Sequence, residues 1–393
     1  MAGISIASTV VAILIRETML KDNPINNELI VKIASRCTHD CKYCHWFRDP
    51  EVMRLPKLLP IDVEEALLTR IKNHLLKYSL KAMTVVMHGG EPLLFGVQRF
   101  SNLCQKLALL AKELNVRLPI SVVTNGVLIN KKWIQVFLKY GVSVAVSIDG
   151  PARINDKNRV YLNGKGTYKD VVRGINYLKE AGINVATLSV CNPDEDPKEV
   201  MEGLIALGLR SYDLLIPKFN HDDKAQGRVK PIAKFYKELF TLWYTDYVHR
   251  GIHIRICEDI VRLLLGRNPI AQTIKANHMR HVAVATDGTL ETLDNLRISG
   301  NDQVNTGLNV LSSELDDVLT NNVWTRIRDE SAQIPDGCHG CEFLNCCRGG
   351  YMAMRYASEK GYNNPSIYCE DYKEIFAHAW EIIRQDLSVK IAS

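Results

Sequence analysis

The sequence predicts an α/β protein: a partial (β/α)6 barrel followed by a cysteine-rich C-terminal region. Three observations predict it. Between residues 27 and 250, short β-rich runs alternate six times with amphipathic helical stretches. Glycines stand where a helix should hand over to the next strand. The eleven cysteines gather mainly in one early and one late group, which points to metal or redox chemistry rather than a disulfide framework.

The strand candidates are 28–34, 83–88, 119–124, 142–148, 184–190 and 211–216. The helix candidates are 62–77, 97–115, 130–140, 168–182, 196–208 and 231–250. Gly141 and Gly182 are placed as helix-ending glycines. Repeated strand–helix units imply a parallel sheet with right-handed crossovers, and chemistry at the C-terminal strand ends. Residues 1–26 read as an N-terminal extension and 27–250 as the barrel. Residues 251–330 form a linker in which HVAVATDGTLETL is a hairpin turning at Asp287-Gly288. Residues 331–393 hold a loop-rich Cys, Gly and Tyr segment and a last helix at 372–386.

A 393-residue chain that is 46% hydrophobic can bury a large core. A net charge of +5 asks for no nucleic-acid partner. The apolar run 4–15 lacks a basic leader and a cleavage site, and is too short to span a bilayer. It reads as a packed strand or helix, and the protein as cytoplasmic and without a membrane partner. Cys104, Cys191 and Cys257 are isolated and read as small core residues.

Cys37, Cys41 and Cys44 follow the first strand directly. Three thiolates on one short loop can ligate three irons of a cubane and leave the fourth open. A structural zinc site would want a fourth ligand, for which His39 or His45 is available. His88-Gly89-Gly90-Glu91-Pro92 ends the second strand. Its glycines expose backbone, and Glu91 can accept from an ammonium. Thr124-Asn125-Gly126 ends the third strand and Ser147-Ile148-Asp149-Gly150 the fourth, with Asp156 and Arg159 beyond.

These elements resemble the radical S-adenosylmethionine (SAM) superfamily. The resemblance implies a [4Fe–4S] cluster on the three cysteines, with SAM chelating the open iron. It places Tyr43 at the adenine, Gly89, Gly90 and Glu91 at the methionine amine, and Asn125, Ser147 and Arg159 among the remaining SAM contacts. Strand-end caps and a surface arginine are the plainer reading of the last group. An external flavodoxin- or ferredoxin-type donor would supply the electron.

Cys338-x2-Cys341-x5-Cys347, then Cys369, resembles the SPASM extension, which binds auxiliary [4Fe–4S] clusters. These four fill the distal ligand set. The nearer set is missing: Leu293 and Tyr351 stand at two of its positions, and 272–278 hold no cysteine. The expectation is therefore one auxiliary cluster. Cys346 is read as a bystander, and His278 and His281 as solvated or capping rather than replacement ligands.

Asp287 to Asp294 and the stretch from Cys346 to Tyr372 resemble the cyclophane-forming radical SAM/SPASM peptide maturases (the XyeB, GrrM and FxsB types). The resemblance covers residues 27–385. It implies modification of a ribosomal precursor peptide, with the Cβ of one residue joined to an aromatic ring. Asp294 is the candidate proton acceptor, against the reading of a hairpin-end cap. An anaerobic formylglycine-generating sulfatase maturase is the alternative enzyme, and an iron–sulfur or zinc scaffold the alternative class. The residues before the first strand are too few for a separate leader-recognition domain.

Overall fold

The computed structural model describes Ile25, residues 27–270, Ile274, Lys275 and residues 279–391. The apolar run 4–15 and His278 lie outside the described residues.

The alternating text folds as its pattern demands. β1 (Glu28–Ala34) leads to α1 (Ile61–Lys77), β2 (Thr84–Gly89), α2 (Val97–Leu114), β3 (Ile120–Thr124), α3 (Lys131–Tyr140) and β4 (Ser143–Ser147). Then come α4 (Ala152–Asn158), α5 (Tyr168–Glu180), β5 (Val185–Val190), α6 (Pro197–Ile205), β6 (Ser211–Leu215), α7 (His221–Ala225) and α8 (Ala233–Thr245). Strands β1 to β6 pair in sequence order, all parallel. Helices cover such a sheet, so its strands read as apolar runs. Val31, Val122, Val146 and Leu214 are at most 1% exposed. Gly141 ends α3 at φ 60°, a left-handed cap that suits glycine. The expected helix 231–250 is shorter: α8 stops at Thr245, and a 3-10 turn runs from Tyr247 to Arg250.

The sheet does not stop at residue 250. β7 (His253–Ile254) adds parallel to β6, and α9 (Arg255–Leu264) follows it. The predicted hairpin forms from β8 (Val282–Val284) and β9 (Thr289–Glu291). β8 docks parallel to β1, on the opposite edge from β7. β10 (Asn305–Asn309) pairs antiparallel with β9 and completes a ten-stranded sheet among the described residues. The hairpin thus covers what would otherwise be an open β1 edge.

After α10 (Asn322–Ala332), the cysteine-rich segment holds only short turns and α11 (Leu344–Cys347). The last helix, α12 (Cys369–Ile391), starts three residues earlier than its sequence pattern suggests. Cys369 therefore sits at its first turn. α12 packs on α8, which ties the C-terminal region to the barrel. Among the described residues, no helix is long and apolar enough to cross a membrane.

Candidate functional site

The tips of the parallel strands open into one cavity of about 1040 Å³, including its solvent mouth. Its wall carries Cys37, Cys41, Tyr43, Cys44, Gly89, Gly90, Asn125, Ser147 and Arg159. These nine come from five separate stretches of the sequence, and the fold brings them together.

The cysteine loop is held from below by β2. The Gly90 amide donates to the Ala34 carbonyl at 2.9 Å, and the Glu91 amide to the Arg36 carbonyl at 2.8 Å. A Cβ on Gly89 would lie 2.0 Å from the Ala34 oxygen, and one on Gly90 2.5 Å from the Arg36 oxygen. Only glycine permits this approach, one residue before Cys37. The Cys37 thiol accepts from the His39 amide at 3.4 Å and from Asn125 Nδ2 at 3.7 Å. Burial pushes the Cys37 thiol up to about 12 and the Cys41 thiol up to about 11. Ligation there must displace protons, as thiolate ligation of iron or zinc does. Three thiols on one loop, receiving N–H donors and facing open space, fit a cubane with a free iron.

Glu91 departs from the expectation of a ligand to an ammonium. It is 0% exposed and does not face the cavity. Its carboxylate accepts from the Leu93 amide at 2.9 Å, Thr124 Oγ1 at 2.7 Å and the Asn125 amide at 2.8 Å. Glu91 straps β2 to β3 and orients Asn125. Arg159 is likewise committed: its Nε donates to Asp149 at 2.9 Å, and its guanidinium lies 5.4 Å from the Tyr43 ring centroid. The Tyr43 hydroxyl also donates to Asp149. Asp149 thus fixes Tyr43 and Arg159 as a unit. Asp156 accepts from the Thr167 and Tyr168 amides and serves the start of α5 rather than the cavity.

Asp294 is 9% exposed and follows the hairpin. It pairs with the fully buried Lys32 and lies 3.6 Å from His45 Nε2. His45 and His88 line the cavity, whereas Asp294 stands behind them. Burial alone would raise the Asp294 carboxyl, but Lys32 and His45 hold it well below the usual carboxylate range. Burial pulls His88 down to about 3. Lys32 lies in strand text, where a lysine is normally exposed, and Lys218 in the loop past β6, and neither belongs to a motif. The only available signal was position: Lys218 follows the tip of β6.

A second cavity, about 460 Å³, is lined by Cys338, Cys341, Cys347 and Cys369, with Tyr372 and Phe376. Burial raises the Cys347 thiol to about 12. Four thiols around one opening fit a fully ligated cluster. Cys346 turns away, its thiol 3.7 Å from the Leu263 carbonyl. Tyr351 is 8% exposed and donates to Asn295 Oδ1 at 2.6 Å. Leu293 packs against the core.

Residues 31–204 match the family model of the Radical SAM superfamily. The chain is 23% identical over 364 residues to a cysteine-type anaerobic sulfatase-maturating enzyme of Clostridium novyi, an alignment that spans 88% of this chain and 93% of that protein. It is 22% identical over 378 residues to a serine-type anaerobic sulfatase-maturating enzyme of Bacteroides thetaiotaomicron, spanning 89% and 88%. Among solved structures, native anSMEcpe with bound AdoMet superposes with a TM-score of 0.79 at 22% identity, over 92% of this chain and 99% of that one. Streptococcus suis SuiB bound to precursor peptide SuiA gives 0.60 at 16% identity, over 88% and 76%. These likenesses share the fold, including the C-terminal region. Residues 31–204 thus carry the radical SAM superfamily match, and the chain as a whole is similar to sulfatase-maturating enzymes and to SuiB.

Proposed function

We propose that this enzyme installs an oxidative carbon–carbon cross-link, from an aromatic ring carbon to the Cβ of another residue, in a ribosomally made precursor peptide. One observation carries the reading. Four cysteines surround one cavity, while Leu293 and Tyr351, at positions of the second auxiliary ligand set, are packed into the protein. Cys37, Cys41 and Cys44 would hold the SAM-binding cluster, and Cys338, Cys341, Cys347 and Cys369 the auxiliary one. When bound, SAM and the two clusters supply a 5′-deoxyadenosyl radical and a one-electron acceptor. The relatives' names support a polypeptide substrate: sulfatase-maturating enzymes, and SuiB with its precursor peptide.

The protein's own residues would do the rest. Tyr43, Asn125, Ser147 and Arg159 orient SAM on the cavity wall. Joining Cβ to the ring removes one hydrogen atom from Cβ, then one electron and one proton from the ring adduct. Asp294, ionised by Lys32 and reached through His45, takes the proton. Asp294→Asn should leave 5′-deoxyadenosine release in place and reduce cross-linked product at least tenfold. Undiminished cross-linking would remove Asp294 from the mechanism.

The test of the reading is anaerobic reconstitution with dithionite and SAM, and mass spectrometry of any short peptide found encoded beside the gene. The expected product has lost a pair of hydrogens, resists fragmentation between the joined residues and forms no hydrazone. The end-to-end sulfatase-maturating relatives favour a second reading, conversion of Cys or Ser to formylglycine. A hydrazone-forming aldehyde would establish it. Absence of 5′-deoxyadenosine would exclude both.

A further inference from the structure

The charges around the main cavity do not balance. Arg159 is paired with Asp149, and Lys32 with Asp294. Lys218 is left over. It lines the cavity just past the tip of β6, and no ion pair with a described residue neutralises it. Its ammonium stands 5.4 Å from the Tyr351 ring centroid, an attraction weaker than a carboxylate's. Asp294, the nearby anion, is already taken by Lys32, which repels Lys218. His45 and Tyr351 also lie near it, and the cavity's remaining titratable lining is His39, His88, Tyr43, Arg159 and the three cysteines; none of these is a carboxylate.

A partly buried cation without a counter-ion is costly, and it is retained where something else brings the anion. We propose that Lys218 is a substrate anchor that takes a carboxylate of the bound polypeptide and so sets which residue lies at the radical-generating wall. The proposal deepens the peptide-maturase reading by naming the substrate chemistry the cavity selects. The carboxylate has two sources, an acidic residue within the peptide or the peptide's free C-terminus. A backbone carbonyl would leave the charge unmet, and SAM's own carboxylate is the competing claimant.

The test uses the reconstituted, SAM-loaded holoenzyme and two small probes. N-acetyl-aspartate N-methylamide presents an acidic side chain, and N-acetylglycylglycine a free C-terminus. The asparagine analogue and the C-terminal amide are their neutral counterparts. Tm is followed over a concentration series at constant ionic strength, since a ligand of the folded state raises it by mass action. The wild type should show a saturating rise with one or both acids and none with the neutral counterparts. Lys218→Met should abolish the rise and Lys218→Arg should retain it, with Lys218→Gln replacing the Met variant should that one not fold.

A response to the aspartate probe assigns an internal acidic residue, and one to the other probe a C-terminus. A response to both assigns the carboxylate itself. Equal shifts for acid and amide, equal shifts in wild type and Lys218→Met, or no shift at all would overturn the proposal. A fall in SAM affinity in Lys218→Met would also overturn it, by giving Lys218 to SAM. The radical reading is checked separately by 5′-deoxyadenosine release, which does not involve the probes.

Discussion

Two regions beyond the six barrel strands pack beside them in opposite ways. In the C-terminal region, Cys338, Cys341, Cys347 and Cys369 stand around open space. Beside β1, the space is filled by charge. The Arg297 guanidinium bridges Asp49 and Glu291, and Lys32 pairs with Asp294. Both cations also lie against Trp46, at 4.6 and 4.8 Å from its ring centroid. All six of these residues are at most 9% exposed. Four thiols lining one cavity fit an inorganic cluster, whereas the charges around the indole find their partners within the protein. Buried ion pairs add little net stability over apolar packing, but breaking one is expensive. The first region should therefore respond to ligand loss in its iron content, and the second in its folding.

The largest effect should come from the cysteines. Cys347→Ala should lose about four irons per protein, one cubane's worth. Cys346→Ala should lose none, because its thiol turns toward Leu263. Iron and sulfide analysis after anaerobic reconstitution measures this. Equal losses in the two variants would dissolve the distinction between ligand and bystander. Lys32→Met should leave the C-terminal iron in place and instead destabilise the fold by about 3–5 kcal/mol, since it strands a buried carboxylate. Lys32→Met/Asp294→Leu should recover most of that loss in urea unfolding. A double variant as unstable as the single would mean that Lys32 acts through Trp46 packing and not through Asp294.

The two regions were unequally legible in the sequence. The cysteine set could be read because metal ligation fixes residue type and local spacing, and Cys338 to Cys347 lie within ten residues. The strands and their order were legible for a similar reason: each β run is local, and sequential parallel pairing follows from the crossovers. The charge cluster was not. Lys32 sits in β1, Asp294 after β9, and their pairing exists only because β8 docks on β1. That docking joins residues some 250 positions apart, which no local pattern encodes. Glu91 was only half legible, for the opposite reason. Its motif was recognised, but a motif fixes the place of a side chain and not its direction. The three donors, from Leu93, Thr124 and Asn125, decide that.

The smallest effect concerns the balance inside the charge cluster. One guanidinium serves both Asp49 and Glu291, and Glu291 Oε2 has no hydrogen-bond partner among the described residues. Burial pushes the Glu291 carboxyl up to about 7, against the pull of Arg297. Between the ordinary value of 4.5 and about 7, the folded protein keeps a proton that the unfolded state has released. The Glu291 contribution is therefore fully present below 4.5 and is lost as pH rises toward 7. Glu291→Gln fixes the neutral form. It should match the wild type near the acid end and exceed it by about 1–3 kcal/mol above the window. Urea unfolding of both proteins across that range measures the difference. A variant less stable than wild type at the alkaline end would show that Arg297 holds Glu291 ionised, and that the filled region is a true ion-pair network rather than one carrying a surplus carboxylate.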